Sequence, residues 1–210
     1  MVSYDASMAT TKQAGGRPRE SRVDHSIAAA VRGLLEERGY ASLTVDAVAA
    51  RAGVSKAAIY RRYATKQEMT FAVLLHDLRE DPPGDTGSLR GDLGALAERI
   101  GEQLSRSSSD VMTGLLADVR ADASLGDRFA GTYLAVERTI ITTLLDRAVS
   151  RGELSRRPDP AVVHVLLLGP LFAWLIMLDE DPAGAPDLAR AIARIASDAL
   201  VANIVPADQG

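Results

Sequence analysis

The feature that most constrains this chain is the run of short helix signals between Thr44 and Met69, "TVDAVAARAGVSKAAIYRRYATKQEM". Val45, Val48, Ala49 and Ala52 recur at i, i+3, i+4 and i+7, which places one apolar stripe on a short helix. Gly53 follows immediately, a residue suited to the left-handed conformation that ends helices. Two residues on, Ser55 can cap a second short helix through its hydroxyl. "TKQE" (Thr65 to Glu68) then has the form of a capping box opening another. Two short helices joined at a glycine cannot bury their stripes alone, so a neighbouring helix must cover them. Ile27, Val31, Leu34 and Leu35 supply that cover, on a pattern predicted to start at an Asp24 cap and stop at Gly39. The outline is a helix-turn-helix unit.

The second short helix has an uneven surface. At about 100° per residue, Lys56, Ala57, Tyr60 and Arg61 share one face while Ile59 points to the opposite side. A small residue allows close approach of backbone to base edges, long cations reach guanine or phosphate, and hydroxyls donate to phosphate. The positive end of the helix dipole adds to that attraction. Charge along the chain agrees. Residues 1–70 carry a net +4 and the remainder −8, which together give the −4 of the whole chain. Two of the three lysines, Lys56 and Lys66, fall in this short stretch. A basic head on an acidic body points to a polyanionic partner.

From Arg22 to Leu75 the chain resembles the DNA-binding domain of the TetR (tetracycline-repressor-like) transcription regulators, through "LLEERGYASLTVDAVAARAGVSKAAIYRRYATKQEM". The resemblance implies that residues 44–52 support a reader helix at 55–62 that enters the major groove. By position, Thr44, Tyr60 and Lys66 resemble phosphate contacts, and Arg62 is assigned there too. Ser55, Lys56, Ala57 and Arg61 match positions facing bases or nearby backbone. Arg17 and Arg19 resemble the basic arm that some members lay along the groove, within a flexible segment 1–21. Two residues depart from the pattern: Ala58 where threonine is frequent, and Ala64 where proline is frequent.

"DPPGDTGS" (Asp81 to Ser88) reads as a linker into a second, helical domain over 76–210. Helical patterns run over about 89–106, 109–124, 127–151, 160–178 and 187–204, giving an all-α fold of about nine helices. "AVVHVLLLGPLFAWLIML" (Ala161 to Leu178) is long enough to span a bilayer. Gly169–Pro170 at its centre and His164 within it favour a kinked core or subunit-interface helix instead.

Residues 111–200, with "LLDRAVSRGEL" and "LLLGPLFAWLIM", are similar to the C-terminal domains found with this head. That similarity implies a homodimer through the last two long helices, a palindromic double-stranded DNA operator, and a small-molecule effector pocket. Pocket candidates on inward helix faces are Leu104, Met112, Leu116, Tyr133, Val136, Ile140 and Trp174, with plain core packing the competing reading for each. Asp118 and Asp122 could attract a cationic effector or simply face solvent.

The chain has no cysteine, three scattered histidines, no HExxH and no glycine-rich phosphate loop, so no cofactor, metal site or catalytic constellation is nominated. The first twenty residues lack the apolar core of a secretory signal, which with the absence of cysteine predicts a cytoplasmic location. A ligand-responsive DNA-binding repressor is the expectation. An effector-independent DNA-binding protein is the alternative, and an enzyme is much less supported.

Overall fold

The computed structural model describes residues 17–75, 82–106 and 108–207, and among them the secondary structure is helical, with one isolated bridge between Pro158 and Ala207. Among the described residues there are ten α-helices, where about nine were expected. The head comprises α1 (Arg17–Arg38), α2 (Val45–Ala52), α3 (Lys56–Tyr60) and α4 (Lys66–Leu75).

Helix α1 starts at Arg17, earlier than the sequence pattern suggests, with Pro18 tolerated in the first turn. Asp24 is therefore inside the helix and caps nothing. Its carboxylate meets the guanidinium of Arg62 instead. Arg17 and Arg19 belong to the opening of α1 rather than to a flexible arm, and the rest of that predicted arm, residues 1–16, lies outside the described residues.

The local signals of the head appear as hydrogen bonds. Gly39, at φ 69°, closes α1 by donating to the Leu35 carbonyl at 3.0 Å. Thr44 Oγ1 accepts from Ala47 N at 3.1 Å, and Ser55 Oγ accepts from Ala58 N at 3.2 Å. Gly53 sits at φ 66°, so the chain turns between α2 and α3 without the penalty a side chain would incur. Before α4, Thr65 Oγ1 accepts from Glu68 N at 3.0 Å while Glu68 Oε2 accepts from Ala64 N at 2.8 Å. That second bond needs the Ala64 N–H. A proline at this position has none, so the departure from the family pattern is compensated within the turn.

The body contains α5 (Leu89–Ser105), α6 (Ser109–Ala121), α7 (Ala123–Phe129), α8 (Ala135–Ser150), α9 (Pro160–Phe172) and α10 (Ala185–Val201). The helices expected over 109–124 and 127–151 are each broken once. Asp122 stops α6 and caps α7, accepting from Ser124 N and Leu125 N at 2.9 and 3.2 Å. A π-helical turn, Ala130–Leu134, then separates α7 from α8. A second π turn, Ala173–Met177, follows α9 three residues after Pro170. The stretch Pro160–Met177 has the length and composition of a membrane span. Its Val163, His164, Leu167 and Leu171 are nevertheless buried, and α9 packs on α5, α8 and α10.

Two cores result. One joins Leu93, Leu96, Leu144, Leu167, Leu171 and Ala193 of the body. The other joins Ile27, Val31, Leu34, Val48, Ile59 and Phe71 of the head with Val111, Leu115 and Val119 of α6. Leu116 packs against both. Helix α6 thus serves as the lid of the head core and as a wall of the body.

The start of the body is fixed by polar contacts. Arg151 reaches Asp85 and Asp92 at 2.8 and 2.9 Å, and Glu153 at 2.6 Å. Asp92, fully buried, also accepts from Thr86 N at 2.8 Å and Thr86 Oγ1 at 2.7 Å. Burial alone would raise its pKa. The bonds from Thr86 and Arg151 outweigh that effect and hold the carboxyl below its ordinary range.

Candidate nucleic-acid interface and effector cavity

Helix α3 is anchored by one side chain. Ile59 is 1% exposed, held in the head core, whereas Tyr60 on the next position is 53% exposed. Ser55, Lys56, Ala57 and Arg61 are exposed with Tyr60, so the predicted face stands outward, and Thr44 is exposed beside it at the start of α2. The Thr44 and Ser55 oxygens accept capping bonds, which leaves each hydroxyl proton able to donate to an external acceptor. Lys56 pairs with Asp46 of α2, both more than half exposed. An exposed pair of this kind is worth at most about 1 kcal/mol and is readily exchanged for a stronger anion.

Two expected contacts are turned elsewhere. Arg62 Nε meets Asp24 and its Nη1 donates to the Ala58 carbonyl at 3.1 Å, with the side chain only 17% exposed. It ties α3 to α1 and does not share the outward face, so the phosphate role assigned from sequence is not supported by its geometry. Lys66 leans back toward the body, its Nζ 4.3 Å from the centroid of the Tyr40 ring.

That ring belongs to the junction of head and body. Tyr40 Oη donates to Asp118 Oδ2 at 2.6 Å, and Gln67 Nε2 of α4 donates to the same oxygen at 2.9 Å. These bonds, Tyr40's first, hold the Asp118 carboxyl below its usual range. Burial, and then Asp118 itself, push the Tyr40 phenol upward. Asp118 is thus a structural acceptor between α6 and the head, and Asp122 is a helix cap.

Where the body meets α4 of the head, a cavity of about 170 Å³ lies among α4, α5, α6, α7, α8 and α9. Its walls are Phe71, Ile100, Gln103, Leu104, Met112, Leu116, Phe129, Leu134, Glu137, His164, Leu168 and Phe172. Of the sequence candidates, Leu104, Met112 and Leu116 line it. Val136 and Ile140 pack in the core, and the Trp174 indole donates to the Asp181 carbonyl at 3.4 Å away from the cavity. Tyr133 falls in the first π turn, and its side chain lies outside the described residues.

Phe71 and Phe129 were not anticipated. Their rings lie 4.5 Å apart, tilted by 36°. Glu137 and His164 are 6% and 7% exposed, with Glu137 Oε2 4.0 Å from His164 Nε2, beyond hydrogen-bond range. Burial raises the Glu137 pKa against the opposing pull of Arg99, and burial followed by Arg138 lowers that of His164.

Comparison with known proteins covers both halves of this architecture. Residues 27–73 match the description of bacterial regulatory proteins of the tetR family, and residues 83–196 match the tetracyclin repressor-like C-terminal domain. The chain is 37% identical over 166 residues to an HTH-type transcriptional regulator of Mycobacterium tuberculosis whose role is uncharacterised, covering 79% of this chain and 80% of that one. It is 30% identical over 189 residues to the DNA-binding transcriptional repressor TetR of Mycobacteroides abscessus, covering 89% and 96%. Among solved structures, the TetR family transcription regulator SCO0332 aligns with TM-score 0.63 and 26% identity, over 82% of this chain and 97% of its own. A regulator from Rhodococcus sp. aligns with TM-score 0.64 over 84% and 99%, and at 21% identity it speaks to the fold alone.

Proposed function

This chain belongs to the TetR family of transcriptional regulators, and we propose that it is a repressor that binds a palindromic operator as a homodimer and is released by a small molecule. The observation that carries the DNA reading is the division of α3: Ile59 buried, with Lys56, Ala57, Tyr60 and Arg61 outward. Ala57 permits close approach, Lys56 and Arg61 supply charge, and Thr44, Ser55 and Tyr60 supply donors for phosphate.

Pairing is supported by unpartnered apolar groups on the last two long helices. Val165 and Leu166 of α9 and Ile195 and Val201 of α10 are exposed, a concentration that a second copy would cover. A two-fold pair would present two α3 helices to successive major grooves, about 34 Å apart.

Release has a route through the cavity. Phe71 on α4 and Leu116 on α6 are cavity walls and also members of, or neighbours to, the head core. A molecule that enlarges the cavity by pushing on either wall moves α4 against α6, and the two helices meet at Asp118 through Gln67. The shift cannot exceed the difference in effector affinity between the two arrangements. The effector-independent alternative leaves this cavity without a use.

The DNA reading is tested by titrating a fluorescent fragment of the chain's own promoter at several salt concentrations. Arg61→Ala should weaken binding and reduce the logarithmic salt slope by about one. Arg62→Ala should lower thermal stability and leave the slope in place. Equal slope changes in the two variants would mean that outward and inward arginines do not differ as described.

A further inference from the structure

The cavity described above has an uneven chemistry that specifies what can occupy it. Its volume, about 170 Å³, is close to the roughly 150 Å³ at which a dry cavity lined by Leu, Ile and Phe accepts benzene. Ile100, Leu104, Met112, Leu116, Leu168 and Phe172 make the greater part of its wall hydrocarbon. Three polar side chains contribute to the wall, chiefly through their carbon atoms, and all are more than nine-tenths buried: Gln103, Glu137 and His164. Gln103 is engaged, its Nε2 directed to the Leu74 carbonyl at 3.4 Å. Glu137 is different. Its Oε2 is buried and has no hydrogen-bond partner among the described residues.

A buried acceptor left unmet costs free energy, and it is relieved only by a donor brought to it. A water between Glu137 and His164 would have only those two partners in an otherwise apolar wall, the least that holds one, and a donor carried on a hydrocarbon body displaces it while filling the rest of the space. An anionic ligand would meet the Glu137 carboxyl with no compensating cation in the wall. A fully charged ammonium would surrender its hydration to a site where Arg99 already acts on the same carboxyl.

Two features indicate a shaped site instead of a packing defect. Phe129 immediately precedes the first π turn, Leu134 is its last residue, and Phe172 immediately precedes the second. Both interruptions of helix geometry therefore fall at the cavity wall, where π turns commonly accompany function.

We propose that this cavity binds a compact, uncharged, mostly hydrocarbon molecule of phenol-like size, whose one donor turns the partnerless Glu137 carboxyl toward the cavity and bonds to it. This rests on the reading of the cavity as the effector site, and it deepens that reading by naming the ligand class. Phe71 is the head's own contribution to the wall, so the occupant touches α4 directly.

Three probes separate size, polarity and charge: 4-methylphenol, toluene and 4-methylbenzoate, titrated calorimetrically into the full chain without DNA. The expected order is 4-methylphenol about tenfold tighter than toluene, with 4-methylbenzoate unbound. In Glu137→Leu the phenol should lose its advantage and bind like toluene. Leu168→Trp, which fills the space, should abolish binding of every probe.

The proposal is overturned if toluene equals 4-methylphenol in the unmodified chain, if no probe binds, if the phenol advantage survives Glu137→Leu, or if binding survives Leu168→Trp. Should Glu137→Leu not fold, the wild-type comparison of phenol and toluene decides alone. Operator release is measured separately. Binding in the expected order without release upholds the ligand class and rejects this cavity as the site of regulation.

Discussion

Replacing Tyr40 by phenylalanine isolates the contact that fastens head to body. The substitution keeps the ring beneath Lys66 and deletes one hydrogen bond, Oη to Asp118 Oδ2 at 2.6 Å. A bond to a charged acceptor is worth about 1.5–3 kcal/mol. Asp118 is only part-buried and can recover a water, so we take the lower figure, about 1.5 kcal/mol. For a chain of this size each kcal/mol moves the midpoint by about 2–4 °C, which predicts a fall of about 3–6 °C in thermal unfolding.

The acid side gives a sharper test. The folded Asp118 pKa lies below its unfolded value of about 3.9, so its stabilisation is present above that pH and is lost as pH falls through the folded value. The difference between Tyr40→Phe and the unmodified chain should therefore be full at neutral pH and shrink below about pH 4. Melting curves followed by circular dichroism across that range measure both quantities. A difference that is absent at neutral pH, or that persists undiminished in acid, refutes the assignment of this bond to an ionised Asp118.

Two further outcomes follow from contacts elsewhere. Asp92→Asn leaves Arg151 without its buried counter-charge while Thr86 keeps an acceptor, and should destabilise the body by about 3 kcal/mol; an unchanged midpoint would show that the Asp85 and Glu153 contacts suffice. Ile195→Asp places a charge in the exposed apolar strip of α10. Sedimentation should then find monomer at concentrations where the unmodified chain is dimeric, and a dimer of unaltered strength would move the pairing surface away from α9 and α10.

What sequence reading captured is local. Thr44, Ser55 and Thr65 announce helix starts because a hydroxyl three residues before a free N–H has few other uses there, and each makes that bond. Gly39 and Gly53 mark stops because positive φ penalises other residues. Pairing across distance was not legible. Nothing near Arg62 in sequence indicates that Asp24 will capture it, and nothing in α4 shows that Phe71 will face the body.

The cavity wall was misread for a definite reason. A π turn inserts extra residues per revolution, so it rotates the helix face that follows. A single α period carried through 127–151 selects Val136 and Ile140. The turn at Ala130–Leu134 presents Leu134 and Glu137 instead. Trp174 lies inside the second such turn and is absent from the wall of this cavity.

The two-sided burial of α6 bears on how descendants of this chain could diverge. If the cavity is the effector site as proposed, a substitution at Leu116 alters its wall and the support of the head in one step, so new chemical preference gained there carries a penalty in DNA binding. Leu168 and Phe172, on α9, pack against the body core and are not among the residues packed on the head core, so they are spared that conflict. Recognition can drift at those two positions while promoter control is retained, and laboratory selection for altered inducers should accumulate changes there first.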